Sequence, residues 1–331
     1  MLSGSTVLTA DADEVETPRE QLPQLQAPLA LHRFALLLMC STLCLLFAGA
    51  MVKSTGSGLA VPDWPLSYGQ VMPPMVGGVF YEHGHRLVAS FVGMLMTVMA
   101  CWLVHSEPRT WVRRVGIAAM AAVVCQGLLG GLTVLLKLPK PVSIAHAGLA
   151  EIFFGLTIAL AFFTAPSWQR ARGLDAPVTP AVASLRRLGI VTAALVYAQI
   201  ILGAFVRHFG AGLSIPDFPL ANGHLIPRID SVYVGIHFAH RVGALLVTLF
   251  VGRLAWRCLS EFRRHAQLAA TAAGLLVVVG VQITLGAYII WTERAVEMTA
   301  SHVVTGALTW GTTLALVLTA YRDLGNEPVT R

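Results

Sequence analysis

The sequence is poor in charged residues. Asp, Glu, Lys and Arg make up 12% of its 331 residues, against about 25% in soluble domains. Hydrophobic residues make up 56%, which excludes a water-soluble globular protein and indicates a chain that folds in a lipid bilayer.

Cysteine is scarce as well. None of the five cysteines lies in a predicted outer loop, so a disulfide framework is excluded and a packing role in the apolar segments is favoured.

Eight apolar segments are long enough to cross a bilayer, which needs roughly 20 residues. We predict an all-α integral membrane protein with eight transmembrane helices, arranged as two tandem four-helix bundles related by a pseudo-twofold axis. No cleavable signal peptide is expected before the first span. The predicted organisation is a disordered cytoplasmic tail (1–33), an N-terminal bundle (34–166), a cytoplasmic linker (167–187), a C-terminal bundle (188–321) and a cytoplasmic tail (322–331).

Basic residues are distributed unevenly between the predicted loops. Most of the 23 Lys and Arg residues fall in the N-terminal tail, in the loops after the second, fourth and sixth spans, and at the C-terminus. Because positively charged loops stay on the cytoplasmic side, we predict a multi-pass protein of the cell (inner) membrane with both termini in the cytoplasm. This topology accounts for the net charge of +6, so the charge gives no reason to expect a nucleic-acid partner.

An internal repeat relates the two predicted bundles. Segment 49–66 aligns with segment 203–220, more than half of the positions being identical, and PDWPL in the first copy becomes PDFPL in the second. Because each copy has four helices, both copies enter the membrane in the same orientation, and the expected symmetry axis is the membrane normal. The matched polar residues that follow are His85-Arg86 with His240-Arg241, Gln126 with Gln282, and His146 with His302.

Four histidines occupy matched positions near the outer ends of the even-numbered spans. They are His85, His146, His240 and His302. An ionisable side chain within a membrane costs free energy unless a partner satisfies it, so such residues mark function by default. Two histidines that face each other in a four-helix bundle suit the axial positions of a haem iron. The pattern therefore predicts two haem sites toward the outer face, with structural hydrogen bonding as the alternative.

Polar neighbours of these histidines have candidate roles of their own. Arg86 and Arg241 directly follow the first histidine of each pair. They could bind haem propionates, or simply extend their charges to the membrane interface. Gln126 and Gln282 could hydrogen-bond a ligand, although contacts between helices are the expected role.

The two copies differ at a position where each has a titratable side chain, since Glu82 aligns with His237. Glu82 precedes His85 by three residues, so the two side chains project from one face of a helix. A carboxylate there could accept a proton from a substrate, and a Glu82–Arg86 pair along the helix is the structural alternative. Glu151 is also specific to the first copy, but it points away from the histidine face by about 140° on helical geometry.

The order, orientation and duplication of these residues resemble the haem A synthase family. Membership implies oxidation of the C8 methyl group of haem O to a formyl group, which gives haem A for terminal oxidases. Many members carry a cysteine pair in the first outer loop; this chain has none there, so a redox role for loop thiols is not available. The likeness spans Phe34 to Tyr321 and rests on Glu82-His83-Gly84-His85-Arg86, the spacing from Gln126 to His146, and the pattern of His240-Arg241 and His302.

The resemblance also implies where haem binds. The N-terminal bundle would be catalytic, with haem O and haem A at His85 and His146 beside Glu82, and the C-terminal bundle would hold haem B through His240 and His302. Two axial histidines leave no iron position for oxygen, so one remaining route is attack of water on the methyl group of the oxidised haem, with Glu82 taking a proton. The partners compatible with membership are haem O, the bilayer, a haem O synthase, an electron carrier, oxidase assembly factors and a second copy of the chain.

Three other functions remain open at this point. A di-haem electron-transfer cytochrome would use both histidine pairs without needing Glu82. A zinc site built from Glu82, His85 and His146 would suit an intramembrane hydrolase, but the second copy lacks the carboxylate. A transporter built from repeats would need polar groups near the membrane midplane, whereas these histidines cluster at one interface.

Overall fold

A computed structural model describes residues 28–169 and 178–324, and over those residues the chain is helical apart from loops and two isolated β-bridges. Eight of its helices are long and apolar enough to cross a membrane, which confirms the all-α membrane class. The helices are α1 (Leu29–Ser54), α2 (Gly78–Ser106), α3 (Thr110–Leu135), α4 (Lys140–Thr164), the short α5 (Pro166–Gln169), α6 (Pro180–Phe209), α7 (Val232–Ser260), α8 (Ala266–Trp291) and α9 (Val296–Asp323).

Helices α1 and α6 begin before the predicted starts of the two bundles at residues 34 and 188. Helix α1 begins directly after Pro28, so the last residues of the predicted N-terminal tail are helical. Helix α6 begins inside the predicted linker, where the Thr179 hydroxyl accepts a hydrogen bond from the Val182 N–H and Pro180 occupies the first turn. Both residue types favour a helix start irrespective of hydrophobicity. The rest of the predicted tails and linker, at 1–27, 170–177 and 325–331, lies outside the described residues.

The spanning helices pack as two groups of four. In the first group α1 and α3 each contact both α2 and α4, and in the second group α6 contacts α7 and α9 while α8 contacts the same two helices. Each group has its own apolar core. The first core includes Leu38, Val92, Met96, Leu103 and Leu160, and the second includes Leu185, Val251, Leu254, Leu275 and Leu316.

The two groups meet through three helix pairs, α1 with α9, α4 with α9 and α4 with α6. Glycines allow the central helices to approach closely. A Cβ atom at Gly155 would lie 3.1 Å from Leu314 Cδ1, and a Cβ atom at Gly311 would lie 2.8 Å from Ile158 Cδ1. Gly155 aligns with Gly311, and Ile158 with Leu314, in the repeat. The contacts are therefore reciprocal, which is the arrangement that a pseudo-twofold axis between the bundles would produce.

The outer surface of the helices is apolar. Large side chains such as Met94, Leu128, Leu245 and Val277 are exposed on it, as expected for helices that face lipid. Cysteines lie on this surface too. The packing role predicted for them is right for Cys258, which is buried. It is wrong for the four exposed cysteines, Cys40, Cys44, Cys101 and Cys125. The prediction failed there because apolar sequence context in a membrane helix does not separate a core face from a lipid face.

We expect Gly311→Leu to destabilise the protein by about 1–3 kcal/mol, because the added side chain overpacks a close helix crossing. Thermal unfolding of the purified protein in detergent would measure the loss. Gly252→Leu is the matched control, since a Cβ atom at Gly252 meets nothing within 4 Å. Equal melting temperatures for the two variants would show that the α4–α9 crossing tolerates a larger separation.

Candidate functional site

The four predicted histidines lie at the same end of the two bundles, which we call the loop end because the long segments 55–77 and 210–231 are also there. Each histidine falls in the first turns of its helix and is partly buried. His85 and His146 lie on α2 and α4 of the first bundle, and His240 and His302 lie on α7 and α9 of the second, where both line one cavity. The structure thus brings together the two pairs that the sequence predicted.

Each histidine ring packs against a glycine of a neighbouring helix. The four glycines lie on α1, α3, α6 and α8, and at each of them a side chain would press on the ring. The same close contact therefore recurs at all four rings. The distances from a Cβ atom built on the glycine to the ring Cε1 atom are 3.1 Å for Gly49 and His85, 3.3 Å for Gly130 and His146, 3.1 Å for Gly203 and His240, and 3.2 Å for Gly286 and His302.

Glutamine amides hold three of the four histidines. Gln126 Nε2 donates to the His146 carbonyl oxygen at 3.0 Å. The backbone carbonyl oxygen of Gln282 lies 3.1 Å from His302 Nδ1, so Nδ1–H can donate to it, and the Gln282 side-chain Nε2 lies 3.4 Å from His302 Nε2. Gln199 Nε2 lies 3.0 Å from His240 Nδ1 and donates to the His240 carbonyl oxygen at 2.8 Å.

Gln199 was missed by the sequence reasoning. Its position in the first copy is Leu45, so it belongs to the second bundle alone. The signal was present in the repeat alignment, as a polar residue opposite an apolar one within a membrane helix. The two glutamines that the sequence did single out, Gln126 and Gln282, also contact histidines, as described above.

A cavity of about 760 Å³ opens in the second bundle, and His240 and His302 both line it. Its volume is in the range of small-molecule and cofactor sites, about 300–1,000 Å³. Buried polar atoms around both pairs have no hydrogen-bond partner within the described chain, including His85 Nδ1 and His146 Nδ1 in the first bundle. A buried polar group without a partner calls for a ligand. In the second bundle, two imidazoles that line a cavity of this size fit a haem, and in the first bundle the two buried imidazole nitrogens without partners fit one as well.

The cavity is not confined to the second bundle. Glu151, on α4 of the first bundle, reaches it and is only 4% exposed, and its Oε2 atom has no hydrogen-bond partner within the described residues. The sequence indicated that Glu151 faces away from the His146 side. The structure shows where it faces instead, which is the boundary between the bundles.

Arg86 and Arg241 hold the loops of their own bundles. Arg86 Nη1 donates to the carbonyl oxygens of Asp63 and Leu66 at 2.8 and 2.9 Å, and Nη2 donates to that of Val61 at 3.2 Å. The PDWPL and PDFPL segments are thereby fixed over the helix ends, as expected for structural loops. Arg241 makes the equivalent bonds to the carbonyl oxygens of Leu220, Ile215 and Asp217.

Glu82 and His237 also occupy equivalent places. Glu82 Oε2 accepts from the Val61 N–H at 2.8 Å and Oε1 pairs with Arg86 at 2.8 Å, so the helix pair considered as the structural alternative is formed. In the second copy the Ile215 N–H lies 3.3 Å from His237 Nδ1, and Arg241 Nε lies 3.4 Å from His237 Nε2. A neutral imidazole accepts at one of these two nitrogens at a time. Both side chains therefore support a loop, and only one of them is a carboxylate.

Metal coordination by a cluster of side chains finds no support. Among the described residues, no group of three or more His, Cys, Asp or Glu side chains is placed to hold a metal ion. Glu82 is instead engaged with its loop. The zinc hydrolase considered from sequence is therefore not favoured.

The fold and this site define a class, namely eight-helix membrane proteins with a facing pair of histidines in each of two bundles. Comparison with known proteins identifies the member of that class. Residues 32–314 match the model of the COX15-CtaA family, described as cytochrome oxidase assembly protein, and the chain belongs to this family.

Its relatives carry a more specific name. It is 34% identical over 246 residues to a protein of Symbiobacterium thermophilum named heme A synthase, with 72% of this chain and 78% of the relative covered. Heme A synthases of Alkalihalophilus pseudofirmus and Shouchella clausii are 30% and 32% identical, covering 78% and 80% of this chain and 87% and 88% of theirs.

We expect Asp217→Ala to loosen the second loop. The Asp217 carboxylate accepts from the N–H groups of Gly223 and Asn222, which hold the pKa of this carboxyl below its usual value. Hydrogen–deuterium exchange of peptides from segment 210–231 should become faster at neutral pH, where the carboxylate is ionised. Asp230→Ala in the same loop is the control, and equal exchange in both variants would contradict the role of Asp217.

Proposed function

We propose that the protein is a haem A synthase, which oxidises the C8 methyl group of haem O to a formyl group and so supplies haem A to terminal oxidases. The observation that carries the proposal is the pair of histidines in each bundle, with each ring packed on a glycine. In the first pair, His85 Nδ1 and His146 Nδ1 are buried without a partner among the described residues, and in the second pair both rings line a cavity. Membership of the oxidase-assembly family and relatives named heme A synthase support the particular reaction.

The two bundles take different roles in this proposal. His85 and His146 hold the substrate haem O in the N-terminal bundle, and His240 and His302 hold a resident haem B in the C-terminal bundle. A haem held by two histidines supplies one-electron transfer. Arg86 and Arg241 contribute through the loops that they fix at the mouths of the two sites, and Arg241 also lines the second cavity.

Glu82 is the proposed proton acceptor for the reaction at the methyl group. It lies one helical turn from His85, and its counterpart His237 marks the bundle that carries no substrate. Each carboxylate oxygen accepts one hydrogen bond in the structure and has capacity for a second. Glu82 can therefore accept a proton while its loop stays in place.

The setting of the reaction follows from the same fold. We propose that the loop end faces the outside of the inner membrane and that both termini are cytoplasmic, with the apolar helices accommodating the hydrocarbon tail of haem O. Oxidation of a methyl group removes electrons from the substrate, so an electron carrier must accept them. A haem O synthase and oxidase assembly factors are the further proposed partners, and a homo-oligomer is compatible with the fold.

The decisive measurement is extraction and mass identification of haems from the purified protein, expressed in cells that supply haem O. We expect haem A from the wild type, and haem O or a hydroxylated intermediate from Glu82→Gln, because the amide cannot take a proton. His237→Gln is the matched control, since it alters the equivalent loop contact without touching the substrate bundle, and it should still yield haem A.

Other outcomes would point elsewhere. If the wild type and Glu82→Gln contain only haem B and neither converts haem O, the electron-transfer cytochrome becomes the better account. If Glu82→Gln and His237→Gln reduce haem A equally, Glu82 acts only by supporting its loop.

Membrane orientation has its own test. A cysteine placed at Leu225, which is 84% exposed in the second loop, should react with a membrane-impermeant maleimide added to intact cells. A cysteine at Arg263, at the opposite end of the bundle, should react only after the membrane is opened. The reverse pattern would place the haem sites toward the cytoplasm.

A further inference from the structure

The mouth of the second cavity carries three basic side chains that nothing described so far uses. They are Lys53 at the end of α1, Arg207 near the end of α6, and Arg294 in the turn between α8 and α9. All three line the same cavity, so we treat them as one group. We call them the basic cluster.

The cluster has unused donors. Arg207 donates through Nη2 alone, to the Ala50 carbonyl oxygen and the Ser54 hydroxyl. Lys53 and Arg294 make no side-chain hydrogen bond or ion pair to any other described residue. Glu293 also lines the mouth, but no ion pair within 4.0 Å joins it to the cluster in the described chain. Like charges held close together without counter-charges repel one another. An anion bound at the cluster would therefore stabilise it.

The repeat shows that the cluster belongs to the second cavity only. Lys53 and Arg207 are matched positions of the two copies, yet both line the same cavity. Arg294 aligns with Leu138, and each packs against the matched glycine of its loop, Gly212 for Arg294 and Gly58 for Leu138. The first bundle therefore has an apolar side chain at the place where the second has a cation.

We propose that the basic cluster binds the two propionate carboxylates of the haem held by His240 and His302, with Lys53 of the first bundle contributing across the boundary between the bundles. The inference rests on the proposed function, because it assumes a haem at this histidine pair. Guanidinium and ammonium groups form strong charge-assisted hydrogen bonds with carboxylates. The absence of a third cation at Leu138 leaves the substrate haem of the first bundle less firmly held, as release of a product requires.

The test compares the full-length wild type with the double variant Lys53→Met, Arg294→Leu. Arg207 is left unchanged because its hydrogen bonds join α6 to α1. Arg228→Leu is the matched control, since Arg228 is exposed on the same side of the protein and does not line the cavity. His240→Ala identifies which part of the haem absorption comes from the second bundle.

Two readouts are measured. The first is the rate of haem transfer from purified protein to excess apomyoglobin, and we expect the double variant to lose the second-bundle haem at least about tenfold faster, corresponding to roughly 1.4 kcal/mol. The second is the affinity of haem-depleted protein for haem, compared with its affinity for haem dimethyl ester. The wild type and Arg228→Leu should prefer the free acid, and the double variant should bind both alike.

Each contrary result has a distinct meaning. An unchanged transfer rate, or faster transfer with the preference for the free acid retained, would overturn the propionate site while the proposed function stands, provided that His240→Ala removes its haem. If His240→Ala keeps both haems, the placement of haem B at this pair fails, and the propionate site fails with it.

Discussion

An imidazole placed among membrane helices needs a polar partner or a ligand, because the bilayer offers no water to satisfy it. Much of the loop end follows from this constraint. Glycines on α1, α3, α6 and α8 make room for the rings, and glutamines hold three of them. Nitrogens that stay unsatisfied, such as His85 Nδ1 and His146 Nδ1, are where a ligand is required.

The loops that cover these sites are held by buried charge. Arg86 and Arg241 each donate to three loop carbonyl oxygens, which the five N–H donors of a planar guanidinium can serve from one fixed position. The side chain one turn earlier receives a loop N–H, and it is Glu82 in one copy and His237 in the other. A single framework thus tolerates two chemistries, and a proton acceptor can be placed beside one histidine pair without changing the fold.

The differences between the copies point in a consistent direction. The second bundle gains Gln199 against Leu45 and Arg294 against Leu138, while the first has the carboxylates Glu82 and Glu151 where the second has His237 and Ala307. The second cavity therefore gains a side-chain donor and a cation, while the carboxylates Glu82 and Glu151 belong to helices of the first bundle, although Glu151 reaches the second cavity across the boundary. This division suits a resident cofactor on one side and a substrate on the other, as proposed.

Composition and periodicity determined the number and class of the helices, because about 30 Å of hydrocarbon demands long apolar runs whatever the tertiary contacts. The repeat determined the pairing of His85 with His146 and of His240 with His302, since matched positions on alternate helices fall at one end of a bundle. Only the tertiary structure placed Arg86 and Arg241 on loop carbonyls, the four exposed cysteines on the lipid face, and Lys53 and Glu151 at the second cavity. Those contacts join residues far apart in the chain, and helical periodicity fixes the face on which a side chain lies but not the helix that packs against it.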